Sequence, residues 1–150
     1  MRGLDTNVLL RLLVEDNPQQ VVLARNFFEE AAESGELLFL STPVLCELVW
    51  TLRGAPYRVR REELAEILEM LLKGSPLVVD DADAVRLAVR DFRAGEGDFA
   101  DYLIARLARR AGCLDTVTFD EALVEEPFTQ LNATYPTDPV PPSWVHEDLP

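Results

Sequence analysis

Hydrophobic residues along the chain alternate between short apolar runs and helical spacings. The short runs predict five strands: residues 2–4, ending near Asp5, and then 37–40, 77–79, 114–118 and 128–131. Helical spacings predict a short helix after Asp5 and further helices over 18–34, 42–52, 61–73, 81–92 and 98–111. Strands that alternate with helices favour right-handed crossovers, so the predicted fold class is α/β, with a mainly parallel central sheet between two layers of helices.

Residues typical of turns mark several boundaries between these elements. Asn17 and Pro18 supply a helix cap and a first helical residue, and Gly35 ends the same helix. The run Gly95-Glu96-Gly97 predicts a flexible break between the last two helices.

The chain divides into a predicted domain over residues 1–132 and a tail over residues 133–150. Its 150 residues suit a single compact core. Five of the ten prolines lie in the last 19 residues, a composition typical of a tail. Trp144 in this tail is either one apolar contact of an ordinary extended segment or a docking anchor, and the sequence leaves both open.

Charge and rare residues narrow the chemistry. The formal net charge of −13 excludes a protein that binds nucleic acid or membranes through a strongly basic surface. Cys46 and Cys113 lack the spacing of a disulfide framework or a zinc site, and the single histidine, His146, makes a histidine-based triad a poor fit. With neither a leader pattern nor an apolar run of membrane-spanning length, a cytoplasmic location is expected. The reactive groups in supply are carboxylates.

Two acids follow predicted strands, at the place where parallel sheets bind ligands. Asp5 comes at the end of the first strand and Asp120 just after the strand over 114–118. Ligands bind beyond the carboxyl ends of parallel strands, so topology predicts that these carboxylates meet at one edge. Either residue could equally cap a helix.

Further acids lie in the helices. Glu47 stands in the otherwise uncharged run 44–50, which predicts an apolar setting where a carboxylate must be paired or coordinated. Asp98 and Asp101 share the first turn of the helix over 98–111, where Asp98 could also be a helix cap. Clustered carboxylates persist only when they share protons or when a bound cation offsets their repulsion, and a divalent metal is the simpler explanation. Oxygen donors alone favour Mg²⁺ or Mn²⁺, which would polarise a phosphodiester and activate a water.

With these acids in place, the sequence resembles the PIN-domain family, and within it the VapC-type toxins of bacterial and archaeal toxin–antitoxin pairs. The resemblance covers about residues 2–131. It is carried by four stretches, Leu-Asp-Thr-Asn-Val-Leu-Leu-Arg at 4–11, Pro-Val-Leu-Cys-Glu-Leu-Val-Trp at 43–50, Gly-Asp-Phe-Ala-Asp-Tyr-Leu-Ile-Ala at 97–105 and Thr-Phe-Asp at 118–120.

The resemblance implies a PIN-like α/β/α sandwich and an endoribonuclease that uses Mg²⁺ or Mn²⁺. Asp5, Glu47 and Asp101 match the family's core metal-binding acids, and Asp120 matches its more variable fourth. Asp98 matches an auxiliary acidic position, while Thr6, Asn7 and Thr118 lie where side chains would orient ligands or a water. A homodimer and a cognate antitoxin are also implied. The helices over 18–34 and 61–73 could hold a partner helix, although such amphipathic faces ordinarily form core.

The predicted function is a metal-dependent endoribonuclease, the toxin of a toxin–antitoxin pair. Arginines near the acids are candidate RNA ligands or ordinary solvated charges: Arg53, Arg58, Arg60, Arg61 and Arg106. One alternative is a catalytically silent PIN-like module that binds a protein partner. A phosphatase that begins at Asp5 is a third interpretation, but Asn7 stands where such a motif needs a second aspartate.

Overall fold

The computed structural model describes residues 1–123 and 125–131, and it contains the predicted elements in their predicted order. The predictions for the tail, Trp144 included, lie outside these residues. The elements are β1 (Arg2–Gly3), α1 (Thr6–Leu13), α2 (Pro18–Ser34), β2 (Leu38–Leu40), α3 (Thr42–Arg53), α4 (Arg61–Leu71), β3 (Leu77–Val79), α5 (Ala82–Ala94), α6 (Phe99–Arg110), β4 (Thr116–Thr118) and β5 (Phe128–Gln130).

All strand pairs in the described residues are parallel, as the alternation of strands and helices predicts. The strands β1, β2 and β3 form one sheet in that order, with Gly3 opposite Phe39 and Phe39 opposite Val78. The strands β4 and β5 pair separately. A single continuous sheet was expected, but β1 has only two residues and so presents few backbone groups to a further strand. The α/β/α fold class is confirmed.

The core lies where the helices cover the central strand β2. Leu38 and Leu40 on this strand are fully buried, and so are Leu48 on α3 and Phe99 on α6. Each helix buries one stripe and exposes the other, which is why the helical spacing of apolar residues found these elements. Burial of these faces fixes the relative positions of the segments that carry the acids.

Local chemistry explains the ends of α2. The Asn17 side chain accepts a hydrogen bond of 3.2 Å from the Gln20 amide, which caps the first turn of the helix. At the other end Gly35 adopts a left-handed conformation with φ of 70°, which glycine reaches without a steric cost. Both boundaries follow the sequence prediction.

The segment 95–97 differs from its prediction as a flexible break. A Cβ atom at Gly95 would lie 1.9 Å from the Tyr102 hydroxyl, and one at Gly97 would lie 2.4 Å from Leu123 Cδ2. A side chain at either position would require the end of Tyr102 or Leu123 to shift, so the segment is packed against its neighbours. Glycine in a sequence signals either role, and only the surrounding side chains distinguish them.

Two further expectations concern thiols and membranes. Cys46 and Cys113 are both free thiols, in keeping with their lack of paired spacing. Within the described part of the chain, every helix is too short or too polar to cross a lipid bilayer.

Candidate active site

Asp5 and Glu47 are brought near each other by the packing of α1 on α3. Thr6, the first residue of α1, is buried, and its hydroxyl donates a hydrogen bond to Glu47 Oε2. Asp5 immediately precedes α1, yet its carboxylate does not cap the helix and instead accepts a hydrogen bond of 3.4 Å from Asn7 Nδ2. The Asp5 carboxylate therefore remains available, which the capping interpretation did not expect.

Glu47 lies in a more open setting than its uncharged neighbours in the sequence predict. Its side chain is exposed, whereas Leu45, Leu48 and Leu52 on the same helix are buried. The expectation of an apolar setting was wrong because residues adjacent in a helix point about 100° apart, so apolar neighbours in sequence can lie on the opposite face. A solvent-facing carboxylate is accessible to an ion and to a substrate.

Asp98 and Asp101 lie together at the start of α6. The Asp98 amide donates a hydrogen bond of 2.8 Å to Asp101 Oδ2, so the backbone orients the Asp101 carboxylate. Asp98 itself is the N-cap residue of α6, and the two residues form a capping box in which Asp101 accepts from the Asp98 amide. The Asp98 Oδ1 atom is buried and forms an ion pair with Arg53 on α3.

Asp120 follows β4 and takes part in a tight turn. Its amide donates a hydrogen bond of 3.0 Å to Thr118 Oγ1, and its Oδ1 accepts one of 2.9 Å from the Ala122 amide. Thr118 thus holds the backbone at Asp120, while one carboxylate oxygen stabilises the turn. The capping interpretation of Asp120 is partly right, since this oxygen serves the backbone.

Electrostatics connects the acids of separate segments. Burial raises the pKa of Asp101, and the negative charge of Asp120 raises it further. Burial also raises the pKa of Cys46, the neighbour of Glu47, with a smaller contribution from Asp101. Together with the hydrogen bond between Thr6 and Glu47, these couplings link the segments that carry the four predicted ligands.

The donor set fits a hard divalent ion by its chemistry. The four predicted ligands are carboxylates, and such oxygen donors suit Mg²⁺ or Mn²⁺. The charge of Asp120 disfavours ionisation of Asp101, and a cation between them would offset that repulsion. Over residues 1–123 and 125–131, however, no three acids lie close enough together to hold an ion as they stand.

Most of the arginines predicted as RNA ligands form ion pairs or hydrogen bonds within the protein. Arg53 pairs with Asp98, Arg60 with Glu63, and Arg106 with Asp91. Arg61 donates to backbone carbonyl groups before α6. Arg58 is exposed in the loop before α4, with φ of 52°. The arginines predicted as one class therefore have several different contacts in the structure.

Two exposed aromatic residues beside the acids escaped the sequence interpretation. Trp50 is 55% exposed and lies one helical turn after Glu47, while Phe119 is 80% exposed and immediately precedes Asp120. For Trp50, the spacing of three residues from Glu47 on a helix was a usable signal. For Phe119 the strand pattern offered none, because an aromatic residue at a strand end ordinarily points to the core.

Comparison with known proteins agrees with this arrangement. The model of the PIN domain matches residues 4–127, a span that contains all four acids. A VapC ribonuclease of Aquifex aeolicus (strain VF5) is 31% identical over 132 residues, which cover 88% of this chain and 96% of that protein. A match over most of the chain shows that the protein belongs to the PIN domain family.

Proposed function

We propose that this protein is an endoribonuclease that depends on Mg²⁺ or Mn²⁺ and serves as the toxin of a toxin–antitoxin pair. The observation that carries the proposal is the similarity of the chain to a VapC ribonuclease, together with two oriented carboxylates, Glu47 held by Thr6 and Asp101 held by the Asp98 amide. The charge of Asp120 disfavours ionisation of Asp101, and a bound cation would offset this repulsion.

The proposed roles follow from the contacts of each side chain. Asp5, Glu47 and Asp101 would hold the ion, and Asp120 would complete the site or position a water. When bound, the ion would polarise a phosphodiester and activate that water. Thr6 orients the Glu47 carboxylate, and the Asp98 amide orients Asp101. Such hydrogen bonds keep ligands in position before the ion arrives.

Exposed aromatic groups support single-stranded RNA as the substrate. Bases stack on aromatic side chains regardless of sequence, and Trp50 and Phe119 lie next to two of the acids. Arg58 remains a candidate phosphate ligand, because it forms no ion pair with any other described residue. Local contacts of this kind would offset the repulsion between RNA and a chain of net charge −13.

The remaining parts of the proposal concern partners. An antitoxin is supported by the relative's identity as a VapC ribonuclease and by an apolar groove of about 420 Å³ beside α2. Leu23 in this groove is 69% exposed, and Leu4, Val8 and Phe27 also line it. A helix with an apolar face would bury such a surface. A homodimer and a cytoplasmic location complete the proposal.

The test is cleavage of single-stranded RNA by the purified protein with Mn²⁺, with a chelator, and with Asp5→Asn. Removing one charged ligand weakens the binding of the ion and the catalysis that depends on it. We therefore expect cleavage activity to fall at least about 100-fold in the variant and in the unmodified protein with chelator. The same folding transition in both proteins controls for structure. Equal cleavage by Asp5→Asn and the unmodified protein would refute the assignment.

A catalytically silent PIN-like binding module is the second candidate. It is favoured by the finding that no three acids among the described residues lie within reach of one ion. Calorimetry with Mn²⁺ separates the candidates, because an enzyme of the proposed kind binds the ion and a silent module does not. Heat of binding that disappears in Asp5→Asn would exclude the silent module.

A further inference from the structure

Arg61 is held by contacts that bind it to the protein rather than to solvent. Its Nη1 donates to the carbonyl oxygens of Phe92, at 2.6 Å, and of Gly97, at 2.9 Å, while Nη2 donates to the Glu96 oxygen at 2.9 Å. The guanidinium also lies 4.4 Å from the centre of the Phe92 ring. Three carbonyl groups and an aromatic face thus use the planar fork of this side chain.

One of these carbonyl groups belongs to a peptide that also contacts the candidate site. The Gly97 oxygen that accepts from Arg61 and the Asp98 amide that donates to Asp101 Oδ2 belong to the same peptide unit. A cation at the carbonyl oxygen polarises the peptide and strengthens its N–H as a donor. The orientation of this peptide also sets the direction in which that N–H points.

The surrounding loop is fixed from the other side by Tyr102. Its hydroxyl accepts a hydrogen bond of 3.2 Å from the Gly97 amide, so both faces of Gly97 are held. Gly97 is itself buried. Arg61 from α4 therefore holds the peptide between Gly97 and Asp98, while Tyr102 from α6 holds the preceding peptide, between Glu96 and Gly97.

We infer that Arg61 is a positioning residue that orients the Asp101 carboxylate through the Gly97–Asp98 peptide. The inference rests on the proposed function in so far as Asp101 holds the ion. It is an alternative to the prediction that Arg61 is an RNA ligand, because both N–H groups on Nη1 and one on Nη2 are directed at carbonyl groups. Arg61 itself need not touch RNA or the ion.

Two variants and one matched control test this inference. Arg61→Met keeps roughly the length of the side chain but removes every hydrogen-bond donor. Arg61→Lys keeps the positive charge, but its single ammonium group cannot replace the planar guanidinium that reaches three carbonyl groups. Arg93→Met is the control, since Arg93 also joins α4 to α5, through Glu62 at 2.8 Å and Glu69 at 2.5 Å, but touches none of these carbonyls. Exchange of the Asp98 amide by NMR, Mn²⁺ affinity by calorimetry, and kcat and KM on single-stranded RNA are measured for each.

In Arg61→Met we expect the Asp98 amide to exchange about 10-fold faster, since it loses an oriented bond to a charged acceptor. Mn²⁺ affinity should fall about 10-fold, and kcat should fall while KM for RNA stays within about twofold. Arg61→Lys should show the same losses despite its charge, and Arg93→Met should match the unmodified protein. If Arg61→Met does not fold, Arg61→Lys decides.

Three results would overturn the inference. One is Asp98 exchange in both Arg61 variants that equals the control. A second is a raised KM with unchanged kcat, which would make Arg61 an RNA ligand. The third is equal loss of Mn²⁺ affinity in Arg93→Met, which would indicate loosened packing of α4 on α5. An unmodified protein that does not bind Mn²⁺ would refute the proposed function alone, because amide exchange still reports whether Arg61 holds this peptide.

Discussion

Thr6 illustrates how a single side chain joins two segments of the candidate site. Its hydroxyl is buried between α1 and α3 and donates to the Glu47 carboxylate, while the preceding residue is Asp5. Glu47 is exposed and so could otherwise rotate among several conformations. The hydrogen bond selects the conformation in which the Glu47 carboxylate lies beside the start of α1, which Asp5 immediately precedes.

Replacing Thr6 by valine should weaken the site while leaving the fold intact. Valine has nearly the same shape but no donor, so the Glu47 carboxylate loses its anchor, and we expect Mn²⁺ affinity to fall about 10-fold. The free energy of unfolding should fall by only about 1 kcal/mol, since water can replace the lost partner of an exposed carboxylate. Calorimetry and urea denaturation measure the two effects.

Thr51→Val serves as the control, because Thr51 lies on α3 beyond Glu47 and is only partly buried. Unchanged Mn²⁺ affinity in Thr6→Val would show that the hydroxyl does not orient Glu47. A large loss of stability with no specific loss of affinity would give Thr6 a purely structural role.

At the scale of elements, side chains of neighbouring segments hold two of the connections between helices. The loop over 95–97 is enclosed by Tyr102, Leu123 and Arg61. The loop before α2 contacts the loop after α3, because the Tyr57 hydroxyl donates a hydrogen bond to Asp16. These contacts hold the starts of α2, α4 and α6 relative to one another.

Gly97→Ala should destabilise the protein by about 1–3 kcal/mol, because the new methyl group would lie 2.4 Å from Leu123 Cδ2 and 3.3 Å from Tyr102 Cε2, so these side chains must shift. Gly74→Ala is the control, since a Cβ atom there meets nothing within 4 Å. It should leave stability nearly unchanged, within about 0.5 kcal/mol. Urea denaturation compares the two, and equal stabilities would show that the loop has room to move.

The contact between Tyr57 and Asp16 predicts a pH dependence. The hydrogen bond from Tyr57, with help from Arg11, lowers the pKa of Asp16 below its ordinary value of about 3.9. It also raises the pKa of Tyr57 above about 10. The bond therefore stabilises the folded protein fully between these values, and the effect is lost as pH falls through the lowered pKa of Asp16 or rises through the raised pKa of Tyr57.

Tyr57→Phe should accordingly unfold at a lower temperature than the unmodified protein near pH 7, with the difference shrinking below pH 3.9 and above pH 10. Thermal unfolding followed by circular dichroism across pH provides the measurement. A difference that stays constant with pH would attribute the effect to packing of the ring instead of the hydrogen bond.

For the whole molecule, the net charge divides unevenly along the chain. Residues 121–150 hold six acids and no lysine or arginine, so they contribute −6 of the −13 and leave −7 on residues 1–120. The four acids of the proposed site contribute four negative charges to residues 1–120, and a bound divalent ion would offset two of them. The part of the chain that carries the site is thus only mildly acidic.

Deleting residues 133–150 should strengthen RNA binding, because it removes the negative charges of Asp138, Glu147 and Asp148. The comparison uses Asp5→Asn in both the full and shortened chain, so that cleavage does not interfere. We expect the gain to shrink as salt rises, since screening weakens charge repulsion. Equal affinity at low salt would show that the tail does not affect RNA.

Most of the fold could be predicted because its determinants are local. Helical spacing found α2 and α3 within a few residues, and the cap at Asn17 and the stop at Gly35 are local hydrogen-bonding and steric effects. The division of β4 and β5 from the larger sheet was missed, since a sequence pattern identifies a strand but not its neighbour.

The positions of the candidate acids were also foreseeable, but their surroundings were not. Asp5 and Asp120 follow strands as predicted, whereas Glu47 is exposed although its neighbours in the sequence are apolar. The arginines were interpreted as RNA ligands or solvated charges, yet Arg53 pairs with Asp98 and Arg61 with backbone carbonyls. Partners far apart in the chain decide such roles.

The sequence by itself determined the order of the elements, the fold class and the acids that repeat the PIN domain pattern, because periodicity, capping and residue spacing act over a few neighbours. Tertiary structure alone decided that Thr6 orients Glu47, that the segment 95–97 is packed, and that Arg61 reaches the peptide before Asp101. Each of these depends on atoms that meet only when distant segments share one core, so no local pattern could specify them.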